Sequence, residues 1–267
     1  MKIRHLYRIW LAEARCELLR VLRTPAYSIP SILLPQLFFV LFGIVLSKTS
    51  GGVQTVAYLL VSYSAFGMLS AALVGVAASI AVERERGFYL LKRALPIPAG
   101  AYLGAKALSA MVISGITFLI MALIARFAGG LDLSPTQWLA LLILNMLGVL
   151  PFAALGLFVG SAVSAAAAPG VTNLIYLPMS FLSGLWIPLR FLPQPLQTIA
   201  HYLPAYHFQQ LPLAVIGAAD RAGAGAHLVV LTLFTAVFYR LARRRLDASN
   251  GGHRAGSRWR KLLSGAA

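Results

Sequence analysis

The chain has 267 residues, of which 59% are hydrophobic and only 11% are charged, whereas a soluble domain carries about 25% charged residues. This composition excludes an ordinary soluble protein, and at about 20 residues per crossing the chain has room for about six membrane spans. In a membrane protein, basic residues collect on the cytoplasmic side of the spans, so the net charge of +16 is explained by topology. No nucleic-acid partner is therefore predicted. The one cysteine excludes an intrachain disulfide, and no Cys/His grouping has the spacing of a zinc or haem site, so no metal site is predicted either.

Residues 1–24 predict an amphipathic helix that lies along the membrane surface. Apolar residues recur at helical spacing on one face (Ile3, Leu6, Trp10, Ala14, Leu18, Val21), and charged residues occupy the other (Arg4, Arg8, Arg15, Glu17, Arg20, Arg23). Each base near the surface gains about 1 kcal/mol from anionic headgroups, and Trp10 suits the acyl boundary. An amphipathic helix packed on protein is the alternative.

Six apolar segments predict an all-α polytopic membrane protein with six transmembrane helices. The segments cover 27–47, 56–82, 102–127, 138–163, 171–189 and about 222–242. We therefore expect residues 25–245 to form one six-helix transmembrane domain. The segment 246–267 follows as a basic tail, and its scattered glycines and bases predict disorder.

The basic residues predict the orientation of the spans. Most of the 23 lysines and arginines fall in the N-terminal segment, in the segment after the second span or in the C-terminal tail. The other side holds only Lys48, Arg126, Arg190 and Arg221. By the positive-inside rule, both termini and the segment 83–101 are cytoplasmic, which requires an even number of spans.

The densest polar stretch between spans covers residues 83–98, with the sequence E-R-E-R-G-F-Y-L-L-K-R-A-L-P-I-P. Gly87 permits a break in the chain, after which 89–95 predicts a short helix that Pro96 ends. Arginine pairs bidentately with carboxylates on a partner, and glutamate pairs with bases. A charged helix at the membrane surface therefore suits docking against another protein. A solvated loop that only fixes topology is an equally good interpretation.

The stretch 183–206 is apolar but is interrupted by prolines. A continuous span does not tolerate so many breaks, whereas short helices in the outer half of the bilayer do when protein neighbours satisfy the freed backbone groups. We therefore predict an external re-entrant or interfacial helix pair over 191–205. His201 and His207 suggest a metal or proton-relay site, but no acidic residue is near them in sequence, so a structural role is favoured.

Polar residues within the spans form short stripes. One side of the second span carries Tyr58, Ser62 and Phe66, and one face of the fifth carries Asn173, Tyr176, Ser180 and Ser183. Such stripes more often hold helices together than contact a substrate. Lys106 and Arg126 lie near span ends, where their side chains can snorkel to the surface. Because the spans show no evident buried carboxylate, an ion-driven transporter is disfavoured.

No catalytic or nucleotide-binding motif is found in the sequence. It contains neither G-x-S-x-G nor H-E-x-x-H, and no lysine follows a glycine, so G-x-x-x-x-G-K-[ST] is absent. The chain is therefore predicted not to be an enzyme and not to hydrolyse ATP through that motif.

Taken together, these segments resemble the ABC-2 type permease family, the membrane subunits of ATP-binding-cassette exporters. The resemblance covers nearly the whole chain. It rests on the E-R-E-x-G loop that ends in L-x-x-x-x-P, on Lys106 in the third span, and on S-G-x-x-x-P-x-x-x-L-P from Ser183 to Pro193, followed by Leu203-Pro204. Phe88 departs from the pattern, since many relatives have a small hydroxyl residue after the glycine.

The resemblance implies a half-size permease of the bacterial inner membrane, surrounded by membrane lipids. Its predicted path is apolar with a few hydroxyl and aromatic groups, which suits an amphipathic drug, a lipid or a lipid-linked glycan. It implies a second permease copy, identical or paralogous, and two copies of a separate ABC ATPase subunit that would hold ATP and Mg; the chain itself would hold no cofactor. The coupling helix would rest on that ATPase through Glu83, Arg84, Glu85, Arg86, Gly87, Leu91 and Pro96. The translocation path would include Tyr58, Ser62, Phe66, Asn173, Tyr176 and Ser180. The external re-entrant gate would include Pro188, Leu192, Pro193, Leu203 and Pro204.

Two interpretations from other functional classes stay open. One is an intramembrane enzyme that acts near the external face through His201 or His207. The other is a pore or scaffold without an energised partner. Dependence of transport on an ATPase and on Glu83 or Arg86 would separate the transport subunit from both, and an activity that needs His201 but no nucleotide would favour the enzyme.

Overall fold

The computed structural model describes the backbone of residues 3–45, 52–88 and 99–264, and it describes most side chains within 12–45, 52–88 and 102–246. All regular elements in these ranges are helices. Leu91, Pro96 and most of the predicted coupling helix lie outside the described residues.

The helices follow one another with short connections. They are α1 (Ile3–Leu22), α2 (Pro25–Phe38) with the π-helical continuation π1 (Phe39–Val45), α3 (Gly52–Leu69), π2 (Ser70–Gly75), α4 (Val76–Glu85), α5 (Ala99–Phe127), α6 (Pro135–Leu147), α7 (Val149–Ala162), α8 (Ala168–Leu182), α9 (Gln194–Ala200), α10 (Pro204–Val215) and α11 (Ala224–Ser264). A short 3₁₀ helix, Leu189–Phe191, precedes α9. The elements α3, π2 and α4 join without a break into one helix, Gly52–Glu85, which we call the central helix.

Five helical stretches are long and apolar enough to cross a membrane. They are Ser28–Val45, Gly52–Glu85, Tyr102–Phe127, Pro135–Ala162 and Ala224–Leu246. These stretches correspond to the first, second, third, fourth and sixth predicted spans. The polytopic all-helical class is therefore confirmed for the described residues, whereas a sixth span is not.

The fifth predicted span corresponds to α8, which ends earlier than the sequence predicts. Its 15 residues extend about 22 Å at 1.5 Å per residue, less than the hydrocarbon thickness of about 30 Å. The helix ends at Leu182 because Gly184 adopts a φ of 84°, which suits a glycine at a helix C-terminus. The chain then turns into the 3₁₀ helix and α9 instead of continuing across.

The last helix continues past the predicted end of the transmembrane domain. Helix α11 has 41 residues and a length of about 60 Å, so its second half extends beyond a bilayer of about 30 Å. The chain contains no proline after Ala224 that would end the helix. Residue 246 therefore marks the end of the apolar stretch, and the backbone of the predicted disordered tail is helical through Ser264.

Helix α7 approaches the central helix closely because two glycines on it lack side chains. A Cβ on Gly156 would lie 2.8 Å from the backbone oxygen of Leu73 in π2, and a Cβ on Gly160 would collide with the backbone of Ala77 in α4. Glycines at a four-residue interval permit such backbone contact between membrane helices. Helix α7 also packs on α11, so it links the central helix to the last one.

Helix α1 packs on α5. Ala14 is 6% exposed and Glu17 is 4% exposed, while Arg15 is on the exposed side. The helix therefore packs on protein through part of its surface, and its contact with a membrane surface stays a prediction. Glu17, predicted on the charged outer face, points inward because it has a charge partner there, Lys106 of α5.

Candidate coupling site and translocation path

The E-R-E-R-G motif lies at the end of the central helix. Helix α4 ends at Glu85, and the amide of Gly87 donates to the backbone oxygen of Arg84 at 3.2 Å. Gly87 has a φ of 73°, a conformation that glycine adopts at low cost. The glycine therefore ends the helix.

Lys106 lies between two carboxylates from other helices. Its Nζ donates to Oε1 of Glu83 at 2.8 Å and to Oε1 of Glu17 at 3.0 Å, and it also contacts the hydroxyl of Ser79. Lys106 is 1% exposed and Glu83 is 6% exposed. The prediction that Lys106 snorkels to the surface was wrong, because the carboxylates compensate its charge inside the protein.

Two further side chains complete this buried charge network. The hydroxyl of Tyr102 donates to Oε2 of Glu83 at 2.6 Å, and the guanidinium of Arg20 donates to Glu17, with Nη2 at 2.5 Å from Oε1. We define the buried charge network as Glu17, Arg20, Ser79, Glu83, Tyr102 and Lys106, of which Arg20 is exposed at the edge and the other five are buried. Two acids and two bases balance one another, and the network joins α1, α4 and α5.

The carboxyl group of Glu17 has a pKa lowered from 4.5 to about 2. Burial alone would raise this pKa, but the attraction of Lys106 and the hydrogen bonds and charge of Arg20 outweigh the desolvation. Glu17 is therefore ionised at neutral pH and holds α1 against the central helix.

The next two residues of the motif contact the connection between α7 and α8. Nη1 of Arg84 donates to the backbone oxygen of Gly160 at 3.0 Å, close to the C-terminal end of α7, where a cation is favoured. The carboxylate of Glu85 accepts from the amide of Ala165 at 2.8 Å. Arg86 is exposed, and Phe88 is 47% exposed. Of the predicted coupling residues that the structure describes, Glu85 and Arg86 therefore both present exposed charges, and Glu85 is held by the amide of Ala165.

The predicted path residues of the second and fifth spans are brought together in two groups. The Phe66 and Tyr176 rings stack with centroids 4.9 Å apart, and the Tyr176 hydroxyl donates to the backbone oxygen of Phe66 at 3.1 Å. Ser180 donates to the backbone oxygen of Tyr176 at 2.7 Å. Asn173 is exposed. Phe66 and Tyr176 thus pack α8 on the central helix, Ser180 bonds within α8, and Asn173 is on the exposed side.

Tyr58 and Ser62 meet a residue that the sequence did not single out. Gln209 of α10 is 1% exposed, and the two N–H groups of its Nε2 face three acceptors, Ser62 Oγ at 2.9 Å and, each at 3.2 Å, Tyr58 OH and the backbone oxygen of Gly184. Tyr58 OH also donates to that oxygen at 2.9 Å. The Gln209 side chain therefore connects α10 by hydrogen bonds to the central helix and to the turn after α8.

The predicted external gate residues lie at the ends of short helices. Pro188 precedes the 3₁₀ helix and Pro193 precedes α9, while Leu203 and Pro204 begin α10. Leu192, between the 3₁₀ helix and α9, is 8% exposed. Proline suits these positions because the first helical amides have no partner within the helix. One short helix, α9, lies within the predicted range 191–205, and α10 begins there but continues to Val215, so the re-entrant helix pair and its role as a gate stay predictions.

The rings of His201, His207 and His227 contact the ring of Tyr206. His207 Nδ1 lies 2.8 Å from Nδ1 of His227 in α11, and His201 Nδ1 lies 2.7 Å from the backbone oxygen of Gln197. Burial, and to a smaller extent the neighbouring His227, lower the pKa of His207 below its ordinary value. Among the described residues, no group of three or more His, Cys, Asp or Glu side chains could hold a metal ion.

Sequence reasoning missed Glu17, Gln209 and His227. The sequence carried a signal for two of them. Gln209 is an amide within an apolar stretch, and Lys106 is an isolated cation within a span, which requires a buried acidic partner such as Glu17. No local pattern pairs Lys106 with Glu17 or His207 with His227. These contacts depend on how distant helices pack.

Comparison with known proteins places these features in one family. The family model described as ABC-2 type transporter matches residues 10–216. The Bacillus subtilis (strain 168) protein named "Putative transport permease YvfS" is 28% identical over 197 residues, which cover 73% of this chain and 80% of that protein. The matched region contains the buried charge network, the central helix and the short external helices. The chain belongs to the ABC-2 type transporter family and is a membrane subunit of a transporter.

Proposed function

We propose that the chain is the permease of an ATP-driven exporter and that the surface around Arg86 docks on a separate ABC ATPase. Members of this family generally work with such a partner. ATP and Mg would bind to that ATPase, and this chain would supply the path. The proposed assembly has two ATPase copies and a second permease, identical or paralogous, in the bacterial inner membrane with both termini cytoplasmic.

The buried charge network carries this proposal. It joins α1, the end of α4 and the start of α5, and its residue Glu83 precedes the exposed Arg86 by three positions in the chain. Close-packed ion pairs of this kind resist separation, because a single buried charge left alone costs about 3–5 kcal/mol. A displacement applied at Arg86 would therefore move the three helices together, as coupling to an ATPase requires.

The exposed apolar surface supports a second permease copy and an amphipathic substrate. Leu33 and Leu37 of α2 are 59% and 62% exposed, and Leu174 of α8 is 77% exposed. Asn173 lies beside Leu174 and is exposed as well. An apolar face with one polar group suits a lipid-like or drug-like molecule that passes between two permeases.

The test uses the chain reconstituted in proteoliposomes with its ABC ATPase partner. Arg86→Ala is expected to reduce the permease-dependent stimulation of ATP hydrolysis and the transport rate by about tenfold, a loss of about 1.4 kcal/mol in coupling. Arg126→Ala is the matched control, because Arg126 is an exposed arginine that pairs only with the exposed Asp132 at 2.8 Å in a described ion pair.

A substitution of Arg86 tests docking more directly than one of Glu83, because removal of Glu83 would also leave the buried Lys106 with one ion-pair partner fewer. Stimulation unchanged by Arg86→Ala, or lost equally with Arg126→Ala, would contradict the proposed docking surface.

A further inference from the structure

We propose that the exposed side of α11 binds one anionic phospholipid. Arg240 and Arg244 bind the phosphate of the headgroup, and an acyl chain lies along the acyl stripe, which we define as Val229, Leu233 and Val237. The site shares no residue with the coupling surface, with the predicted path or with the short external helices.

One side of α11 is occupied by protein. Ala242 and Leu246 are 0% and 2% exposed. The ring of Phe238 meets the ring of Phe158 in α7, with centroids 5.5 Å apart. Phe238, Ala242 and Leu246 follow one another at four-residue intervals and therefore lie on the same side of the helix. This side holds α11 against α7, so a lipid can bind only on the opposite side.

The acyl stripe and the two arginines occupy that opposite side. Val229, Leu233 and Val237 are 59%, 61% and 51% exposed, and Arg240 and Arg244 are exposed as well. At 3.6 residues per turn, all five positions fall within an arc of about 80°. The apolar stripe therefore continues directly into a pair of cations, as a phospholipid continues from acyl chain to phosphate.

The length of the stripe matches one leaflet of a bilayer. The backbone rises about 16 Å from Val229 to Arg240 at 1.5 Å per residue. One leaflet contributes about 15 Å to a hydrocarbon core of about 30 Å. When the stripe lies in one leaflet, Arg240 and Arg244 therefore lie at the depth of the phosphates of that leaflet.

The two arginines favour an anionic headgroup. Like charges one helical turn apart repel each other, and a phosphate between two guanidinium groups removes this repulsion through bidentate hydrogen bonds. The described ion pairs involve Arg20, Lys106 and Arg126, and none of them involves Arg240 or Arg244. A zwitterionic headgroup carries its own cation and gains less at this site. Basic clusters at the cytoplasmic end of a span are typical of anionic-lipid binding.

The test measures lipid binding to the purified full-length chain in detergent by native mass spectrometry. The probes are phosphatidylglycerol and phosphatidylcholine with identical acyl chains. The wild type is expected to bind phosphatidylglycerol about tenfold more tightly, and Arg240→Gln/Arg244→Gln is expected to lose this preference. Arg126→Gln/Arg221→Gln is the matched control, because it removes the same charge from two exposed arginines elsewhere, and it is expected to keep the preference.

A second measurement needs no variant and distinguishes a lipid from a free phosphate group. Phosphatidylglycerol with a photoreactive acyl chain is expected to label the wild-type chain between Val229 and Val237. Excess phosphatidylglycerol is expected to compete with this labelling, whereas its deacylated, water-soluble headgroup is not. A segment left unlabelled, equal competition by the deacylated headgroup, or the same lipid preference in both double variants would overturn the proposal.

Discussion

Lys106 is a cation that the chain keeps inside a membrane protein at 1% exposure. Burying a charge is costly unless partners compensate it, and Glu17 and Glu83 do so at 3.0 and 2.8 Å. Replacing a whole buried ion network by neutral groups of similar size is often tolerated, whereas removing one partner is not. Single and combined substitutions in the network are therefore expected to change the stability of the protein differently.

Lys106→Met is expected to destabilise the protein by about 3–5 kcal/mol, because it leaves two carboxylates buried without their ammonium partner. The triple variant Glu17→Gln/Lys106→Met/Glu83→Gln is expected to recover much of this loss. Denaturant-induced unfolding in detergent measures both. A triple variant less stable than Lys106→Met would contradict the assigned ion pairs.

The lowered pKa of Glu17 predicts a dependence of stability on pH. Its pKa is about 2 in the folded chain and 4.5 ordinarily, so its contribution is complete above about pH 4.5 and disappears as the pH falls towards 2. The melting temperature of the wild type is therefore expected to fall more steeply over this range than that of Glu17→Gln. Parallel curves for the two proteins would rule out this role of Glu17.

The sequence predicted the positions of some single residues but not of those whose partners lie far away in the chain. The charges of Glu83 and Arg86 were recognisable as a dense motif between spans. The inward position of Glu17 was not, because its helical spacing placed it among outward arginines and its partner Lys106 lies 89 residues away. The same limit applies to Gln209, whose partners belong to the central helix.

At the scale of helices, apolar length predicted most elements well. The third span was predicted as 102–127, and the structure has the apolar stretch Tyr102–Phe127. The fifth was overextended because residues 183–189 are as apolar as a span, and only the conformation of Gly184 ends the helix before them. The π-helical segments π1 and π2 could not be predicted, because a search for the α-helical periodicity of 3.6 residues does not distinguish a π-helical turn from an α-helical one.

The packing of α7 on the central helix gives a prediction at this scale. Gly156→Ala is expected to destabilise the protein by about 1–3 kcal/mol, since its Cβ would lie 2.8 Å from the backbone oxygen of Leu73 and force the helices apart. Gly115→Ala in α5 is the control, because the nearest atoms to its Cβ are at 3.8 Å, an ordinary contact distance. Thermal unfolding in detergent compares them, and equal effects would contradict the close approach of α7.

At the scale of the whole molecule, the chain combines several membrane-crossing helices with a charged end of the central helix. Family membership establishes a transporter subunit, and the arrangement of basic residues predicts that Arg86 faces the cytoplasm. The sequence could predict this division between an apolar body and a charged surface because both follow from composition. It could not predict the ion network behind that surface, which needs the packing of α1, α4 and α5.

The central claim is that the surface at Arg86 contacts an ATPase on the cytoplasmic side. The most direct measurement is cross-linking of the assembled complex, with the native Cys16 replaced by alanine and a single cysteine introduced by Arg86→Cys or, as the matched control, by Arg126→Cys. The account predicts a cross-link to the ATPase from position 86 and none from position 126. A cross-link from position 126, or labelling of position 86 from outside intact cells, would contradict it.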